Sequence, residues 1–281
     1  MKIAIASGKG GTGKTTVAVN LALSLVDVQY IDCDVEEPNG YLFFNPEIKK
    51  AYNAHVLIPE INIDKCVLCG KCSSVCEYKA LAKLPTTILV FKELCHGCGA
   101  CSYLCPEKAI TETKREIGII ETGSCENIVF AHGKLNVGEP MAPPLIREVL
   151  RNQSDGLTVI IDSPPGTSCP MVSAVKDADY VLLVTEPTVF GLNDLQIAVE
   201  VISKMSIPFS VLINKSNDDD TIIENFCNVK NIPVLMKLPF DPDIAKLYSR
   251  AIPMVHNNTQ MKKRFIKLFE DIHNHYRESK L

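Results

Sequence analysis

Six residues into the chain, Ser7-Gly8-Lys9-Gly10-Gly11-Thr12-Gly13-Lys14-Thr15-Thr16 fits G-x-x-x-x-G-K-[ST], with Gly8, Gly13, Lys14 and Thr15 in the defining places. Lys2-Ile3-Ala4-Ile5-Ala6 precedes it as a short apolar run, the pattern of a buried strand. Val17, Leu21 and Leu25 follow at helical spacing with Ala18 and Ala22 beside them. Strand, glycine loop and helix are the context in which backbone N–H groups converge on phosphate oxygens at a helix N-terminus. In that context Lys14 neutralises β- and γ-phosphates and the Thr15 hydroxyl ligates Mg²⁺. So the chain is constrained from its first turn towards an α/β fold that binds a nucleotide.

A second pattern stands apart from the first. Cys66-x2-Cys69-x2-Cys72-x3-Cys76 recurs as Cys95-x2-Cys98-x2-Cys101-x3-Cys105, each cysteine 29 residues before its counterpart. This is the spacing of a two-cluster bacterial ferredoxin, in which the fourth cysteine of each run serves the other cluster. One [4Fe-4S] cluster is therefore expected on Cys66, Cys69, Cys72 and Cys105, and the other on Cys95, Cys98, Cys101 and Cys76. The alternative is a pair of zinc sites, but zinc usually takes two C-x2-4-C pairs across a longer loop. Pro106 follows Cys105 as the bacterial run expects, whereas Glu77 follows Cys76.

Composition narrows the class. With 281 residues, 46% hydrophobic and 22% charged, the chain has room for one large α/β domain and a small module. A net charge of −4 argues against nonspecific nucleic-acid binding, and no apolar run approaches a membrane span. The phosphate loop starts too early to leave room for a signal peptide, so a cytoplasmic protein is expected, its twelve cysteines serving metal more than disulfides.

Further strands are expected at 28–31, 157–161, 180–184 and 209–213, with helices after Pro143-Pro144 and near 192–204 and 221–228. The alternation reads as a doubly wound, mostly parallel sheet. Residues 40–62 give no functional reading. The ferredoxin-like module spans 62–113 and interrupts an ATPase domain of 1–61 and 114–281, an insertion that a surface loop accepts at modest entropic cost. Met261, Phe265, Leu268, Phe269, Ile272 and Tyr276 mark one apolar face of a C-terminal helix, expected to pack on its own domain more than on a membrane.

The additional lysine in Gly8-Lys9-Gly10-Gly11 resembles the deviant phosphate loop of the MinD/ParA/nitrogenase-iron-protein superfamily, and the chain as a whole resembles members with an inserted ferredoxin domain. The resemblance implies an ATP- and Mg²⁺-dependent dimer in which Lys9 reaches the partner's phosphates. Ile31-Asp32-Cys33-Asp34 resembles the first switch region, implying that Asp34 orients the hydrolytic water; a plain turn-capping role is the alternative. Asp162-Ser163-Pro164-Pro165-Gly166 resembles the Walker B strand end and second switch. Asp162 would then hold Mg²⁺ and the Gly166 N–H would sense the γ-phosphate. Asn214-Lys215 and Pro239-Phe240-Asp241 resemble the loops that contact the base.

Cys169 stands seven residues after Asp162, the interval of a cluster ligand in the nitrogenase iron protein. With Cys125 it would supply two of four ligands to a third [4Fe-4S] cluster shared across a dimer; two ordinary thiols are the alternative. The expected partners are a second copy or a related ATPase, and a redox or cluster-accepting protein. The expected activity is ATP hydrolysis coupled to electron transfer. Cluster assembly or carriage, and spatial organisation of the MinD/ParA kind, are the alternatives.

Overall fold

The computed structural model describes residues 1–280, which divide into two compact units. The first comprises Met1–Ala51, Ile120–Lys134 and Ile146–Leu281; the second comprises Tyr52–Ile119 and Leu135–Leu145, wider than the 62–113 marked by the cysteines.

The chain order is β1 (Lys2–Ala6), α1 (Lys14–Ser24), β2 (Val28–Asp32), α2 (Gly40–Phe44) and β3 (Glu47–Ile61). Next come α3 (Lys71–Val75), β4 (Leu81–Lys83), β5 (Ile88–Val90), α4 (Ala100–Tyr103), β6 (Ile110–Cys125) and β7 (Ile128–Leu135). Then follow α5 (Pro143–Leu150), β8 (Thr158–Asp162), α6 (Cys169–Val175), β9 (Tyr180–Thr185) and α7 (Val189–Lys204). The chain closes with β10 (Phe209–Ser216), α8 (Thr221–Lys230), β11 (Val234–Pro239), α9 (Pro242–Ser249) and α10 (Thr259–Glu278).

A nine-stranded sheet runs in the order β11-β10-β9-β1-β8-β2-β7-β6-β3. The pairs among β11, β10, β9, β1, β8, β2 and β7 are parallel. β6 and β7 are neighbours joined by only Glu126-Asn127, a tight hairpin in which Glu126 takes φ 49°. The central strands are buried on both faces, which is why Ile3-Ala4-Ile5 and Val159-Ile160-Ile161 read as continuous apolar runs and not as alternation. Ile3, Ile5, Val28, Tyr30, Ile160 and Leu182 face one way, onto Val17 and Leu21 of α1 and Phe265, Leu268 and Ile272 of α10. Met261, Phe269 and Tyr276 pack at the edge of that core. The apolar stripe of α10 is thus used within its own unit, and no helix among the described residues is long and apolar enough to cross a membrane.

The second unit is small and internally repeated. Its elements include the short helices α3 and α4 and the antiparallel pair β4–β5, with Leu81 opposite Val90 and Lys83 opposite Ile88. Positions 29 residues apart share unusual backbone: Leu68 and Gly97 take φ 50° and 66°, Gly70 and Gly99 79° and 72°, Lys79 and Lys108 54° and 48°. The sequence repeat is therefore a repeat of conformation as well.

Candidate functional site

β1 delivers the glycine loop to the exit edge of the sheet, and α1 starts at Lys14 behind it. Gly13 caps the helix at φ 91°, in the left-handed region that an L side chain enters only with strain. A Cβ on Gly13 would also stand 2.3 Å from Asn214 Nδ2, and one on Gly8 would stand 2.2 Å from the Asp194 carbonyl oxygen. Ser7 Oγ donates to Lys9 O at 2.6 Å and folds the loop back on itself. Asn214 Nδ2 donates to Thr12 O at 2.7 Å and Lys215 Nζ to Gly11 O at 3.0 Å, so both residues brace the loop from β10.

An acidic group lies beside Lys14. The register places Asp32 level with Asp162 on neighbouring strands, both buried. Tyr30 Oη donates to Asp162 Oδ2 at 2.9 Å, and Asp32 accepts from the Gly40 N–H at 2.9 Å and the Asp34 N–H at 3.1 Å. Burial raises the Asp162 carboxyl from its ordinary value, against the pull of the Thr15 hydroxyl, Lys14 and Tyr30. Asp34 is pushed up to about 7 by burial and then by Asp162, with Lys14 opposing. Burial likewise lowers the Lys14 ammonium, while Asp162 and Asp34 raise it. Asp162 Oδ1 and Thr12 Oγ1 are buried with no hydrogen-bond partner among the described residues. Buried orphan oxygens flanking Thr15 and Lys14 suit a hydrated Mg²⁺ carried in with phosphate, so the donor set fits that ion.

Lys9 Nζ pairs with Glu186 Oε1 at 2.5 Å, and Lys215 Nζ with Glu186 Oε2 at 2.9 Å. Burial raises the Glu186 carboxyl, but the hydrogen bonds from the two lysines outweigh it and leave it below the usual range. Glu186 went unnoticed in the sequence; its only signal is its place just after a buried strand level with the loop. The Gly166 N–H, at φ 91°, is donated to Ser7 O at 3.1 Å, which ties the Ser163–Gly166 turn to the loop.

Gly11, Gly13, Thr16, Asn214, Lys215, Pro239, Phe240, Asp241 and Tyr248 border an open cleft of about 260 Å³ beside the loop. Gly8, Gly10 and Lys9 lie outside that cleft's lining. Asp241 is the N-cap of α9, its side chain accepting from the Asp243 N–H at 2.8 Å.

The eight ferredoxin-spaced cysteines fall into two groups. Cys66, Cys69, Cys72 and Cys105 border one small pocket, and Cys76, Cys95, Cys98 and Cys101 another of the same size. The Ala109 N–H points at Cys105 Sγ at 3.3 Å and the Ala80 N–H at Cys76 Sγ at 3.2 Å. All eight thiols are free. No three His, Cys, Asp or Glu side chains among the described residues converge as the ligands of a single ion do. Four thiols spread around a void, with amides directed at sulfur, fit a polynuclear iron–sulfur cluster better than a tetrahedral zinc ion.

The expected pairing of Cys125 with Cys169 needs correction. Cys125 ends β6 at the hairpin, beside the entry end of β7, where Ile128 is level with Val28 and so with Thr158. Cys169 opens α6 beyond Asp162, past the exit end of β8. The five residues of β8 put about 15 Å of strand between those levels, too far for both thiols of one chain to reach a shared cluster. Cys125 instead packs against the apolar core.

Three comparisons bear on this arrangement. A Methanocaldococcus jannaschii protein, MJ0578, is 36% identical, covering 97% of this chain and 96% of its own length. An iron-sulfur cluster carrier protein of Pyrococcus horikoshii is 24% identical, covering 99% of this chain and 88% of its own length. The septum site-determining protein MinD of Pyrococcus horikoshii, solved with Mg-ADP, shares the fold with a TM-score of 0.61, at 21% identity over 96% of this chain and 95% of that one. Residues 3–254 match the family described as the CobQ/CobB/MinD/ParA nucleotide binding domain, and the chain belongs to that family.

Proposed function

We propose that this protein is an ATP-hydrolysing nucleotide switch whose state governs two [4Fe-4S] clusters carried on the same chain. The observation that carries the reading is the partition of the eight cysteines. Their pockets follow the exchanged pattern, three ligands from one run and the fourth from the other, while the phosphate loop lies in the other unit.

On this reading Lys14, the loop amides and Lys9 hold the phosphates, and the purine occupies the cleft walled by Asn214, Lys215, Pro239 and Asp241. Thr15 and Asp162 would hold the Mg²⁺, which when bound would supply positive charge against the charge developing on the phosphates. Asp34 orients the attacking water, and its raised pKa leaves it able to take up a proton near neutrality. A second copy or a related ATPase provides the opposing face, where Lys9 would leave Glu186 for the partner's phosphates. Clusters of this type supply low-potential one-electron chemistry. The chain's own part is to hold them by eight thiolates and to aim the Ala80 and Ala109 amides at two of the sulfurs.

A second reading, delivery of a cluster to a client protein, is favoured by the carrier protein of Pyrococcus horikoshii among the relatives. The deciding experiment is anaerobic reconstitution followed by iron and sulfide counts and EPR, with ADP and with a non-hydrolysable ATP analogue. Eight iron atoms per chain and spectra or midpoint potentials that shift with nucleotide support the switch. A colourless protein, or spectra and potentials indifferent to nucleotide, refutes it.

A further inference from the structure

The two cysteine pockets descend from one repeated pattern, yet the repeat is broken at three equivalent places, all with the same sense. The first is the backbone between the first two cysteines of each run. Gly97 takes φ 66° there at no steric cost, and its chain is close enough to Leu57 that a Cβ would stand 3.0 Å from the Leu57 carbonyl oxygen. Its counterpart is Leu68 at φ 50°, a γ-branched residue held in the left-handed region.

The second is cover. Of the four pairs of equivalent cysteines, three match in burial class; only the leading pair differs, Cys95 being buried and Cys66 half-buried. The third is the rim. His96 and Tyr78 border the second pocket with rings nearly parallel, 8° apart in plane and 3.4 Å between centroids. The matching positions on the first pocket are Val67 and Glu107, which cannot stack; all four residues are exposed. A stacked pair joins the rim of one pocket, whereas the other rim carries a separate aliphatic side chain and a carboxylate; carboxylates border both pockets, Glu107 with Lys71 at the first and Glu112 at the second.

We propose that the two centres are not equivalent: the site of Cys66, Cys69, Cys72 and Cys105 is exchangeable and releases its cluster as cargo, whereas the site of Cys76, Cys95, Cys98 and Cys101 retains its own. This rests on the reading of both pockets as cluster sites. Transfer is ligand exchange without net oxidation or reduction. Four iron–thiolate bonds to this chain break and four form to an acceptor protein carrying four thiols. The protons given up by those thiols are taken by the four cysteines left behind. Strain at Leu68 is released when its loop swings away to admit an incoming thiolate, and a rim with no stacked pair opposes that movement less.

The test uses the full-length, anaerobically reconstituted protein and an iron chelator as the probe, with release followed by absorbance and the remaining centre by EPR. Four iron atoms should leave in a fast phase and four in a slow one. Leu68→Gly should slow the fast phase alone, about tenfold if the left-handed strain is relieved in full. Leu68→Asn, which keeps a side chain while tolerating that backbone, should slow it too. His96→Val with Tyr78→Ala should speed the slow phase alone. A single phase for all eight atoms, or Leu68 variants that act on the slow phase or on neither, overturns the inference and leaves the two-cluster reading standing. Failure to bind eight iron atoms at all refutes that reading instead.

Discussion

Lys9 Nζ lies 2.5 Å from the carboxylate of Glu186, a residue of its own chain 177 positions away that also holds Lys215. The side chains are 30% and 13% exposed, so water screens the pair only in part. A lysine held this way must give up a partner before it can serve a phosphate in a second subunit. Glu186→Gln is therefore expected to strengthen ATP-dependent self-association by about fivefold, the weight of a partly exposed ion pair. Lys9→Ala should abolish that association. Sedimentation with a non-hydrolysable ATP analogue reads both; weaker association in Glu186→Gln would refute the competition.

The raised pKa of Asp34 sets a sign that can be checked without catalysis. Its folded value of about 7 lies above the unfolded 3.8, so between those values the unfolded chain loses the proton first and stability falls as pH rises. The penalty at pH 8 is on the order of 3 kcal/mol, from about 1.4 kcal/mol per pKa unit and some solvent relief. Asp34→Asn, measured free of Mg²⁺ and nucleotide, should therefore melt higher than wild type at pH 8 and little differently near pH 4, while losing ATP hydrolysis. Equal melting at both pH values would refute the assignment.

Gly8 faces backbone, which cannot give way as a flexible side chain does. With a Cβ only 2.2 Å from the Asp194 carbonyl oxygen, Gly8→Ala should lower ATP affinity at least tenfold by displacing the loop from α7. Gly138, whose added Cβ meets nothing within 4 Å, takes φ 82° all the same and isolates the strain from the clash. Gly138→Ala should leave ATP affinity intact, as isothermal titration would show.

The proposed exchange of fourth ligands makes a distinctive prediction for the two cysteine pockets. Cys105→Ala should spare the centre bordered by Cys95, Cys98 and Cys101 although it lies in their own run, and disturb the centre of Cys66, Cys69 and Cys72. Cys76→Ala should do the opposite. Mössbauer spectra of the two variants, each with four well-ordered iron atoms, would carry complementary signatures; loss of the same signature from both would exclude the exchanged pattern.

What could be read in advance follows physical lines. The strands around β1 are buried on both faces, so their apolar runs are unbroken and stand out, and the glycine and cysteine patterns leave few other chemistries. β3 was not legible because its first seven residues, Glu47 to Asn53, are exposed or half-exposed, which removes the alternation that marks a strand. Glu186 was missed because an ion pair across 177 residues has no local signature. Cys125 and Cys169 misled for a related reason: spacing along the chain says nothing about which end of a sheet a loop occupies until the hairpin of β6 and β7 is known.

The amides of Ala80 and Ala109 aimed at Cys76 and Cys105 have a practical consequence. Each lies at a different cysteine pocket, and an N–H bound to a metal-held thiolate resists deuterium uptake differently from one beside a bare thiol. If both pockets hold clusters as proposed, the chain carries two isotope gauges, one per pocket, by which filling could be followed separately in a single mass-spectrometric experiment without labelling any other residue.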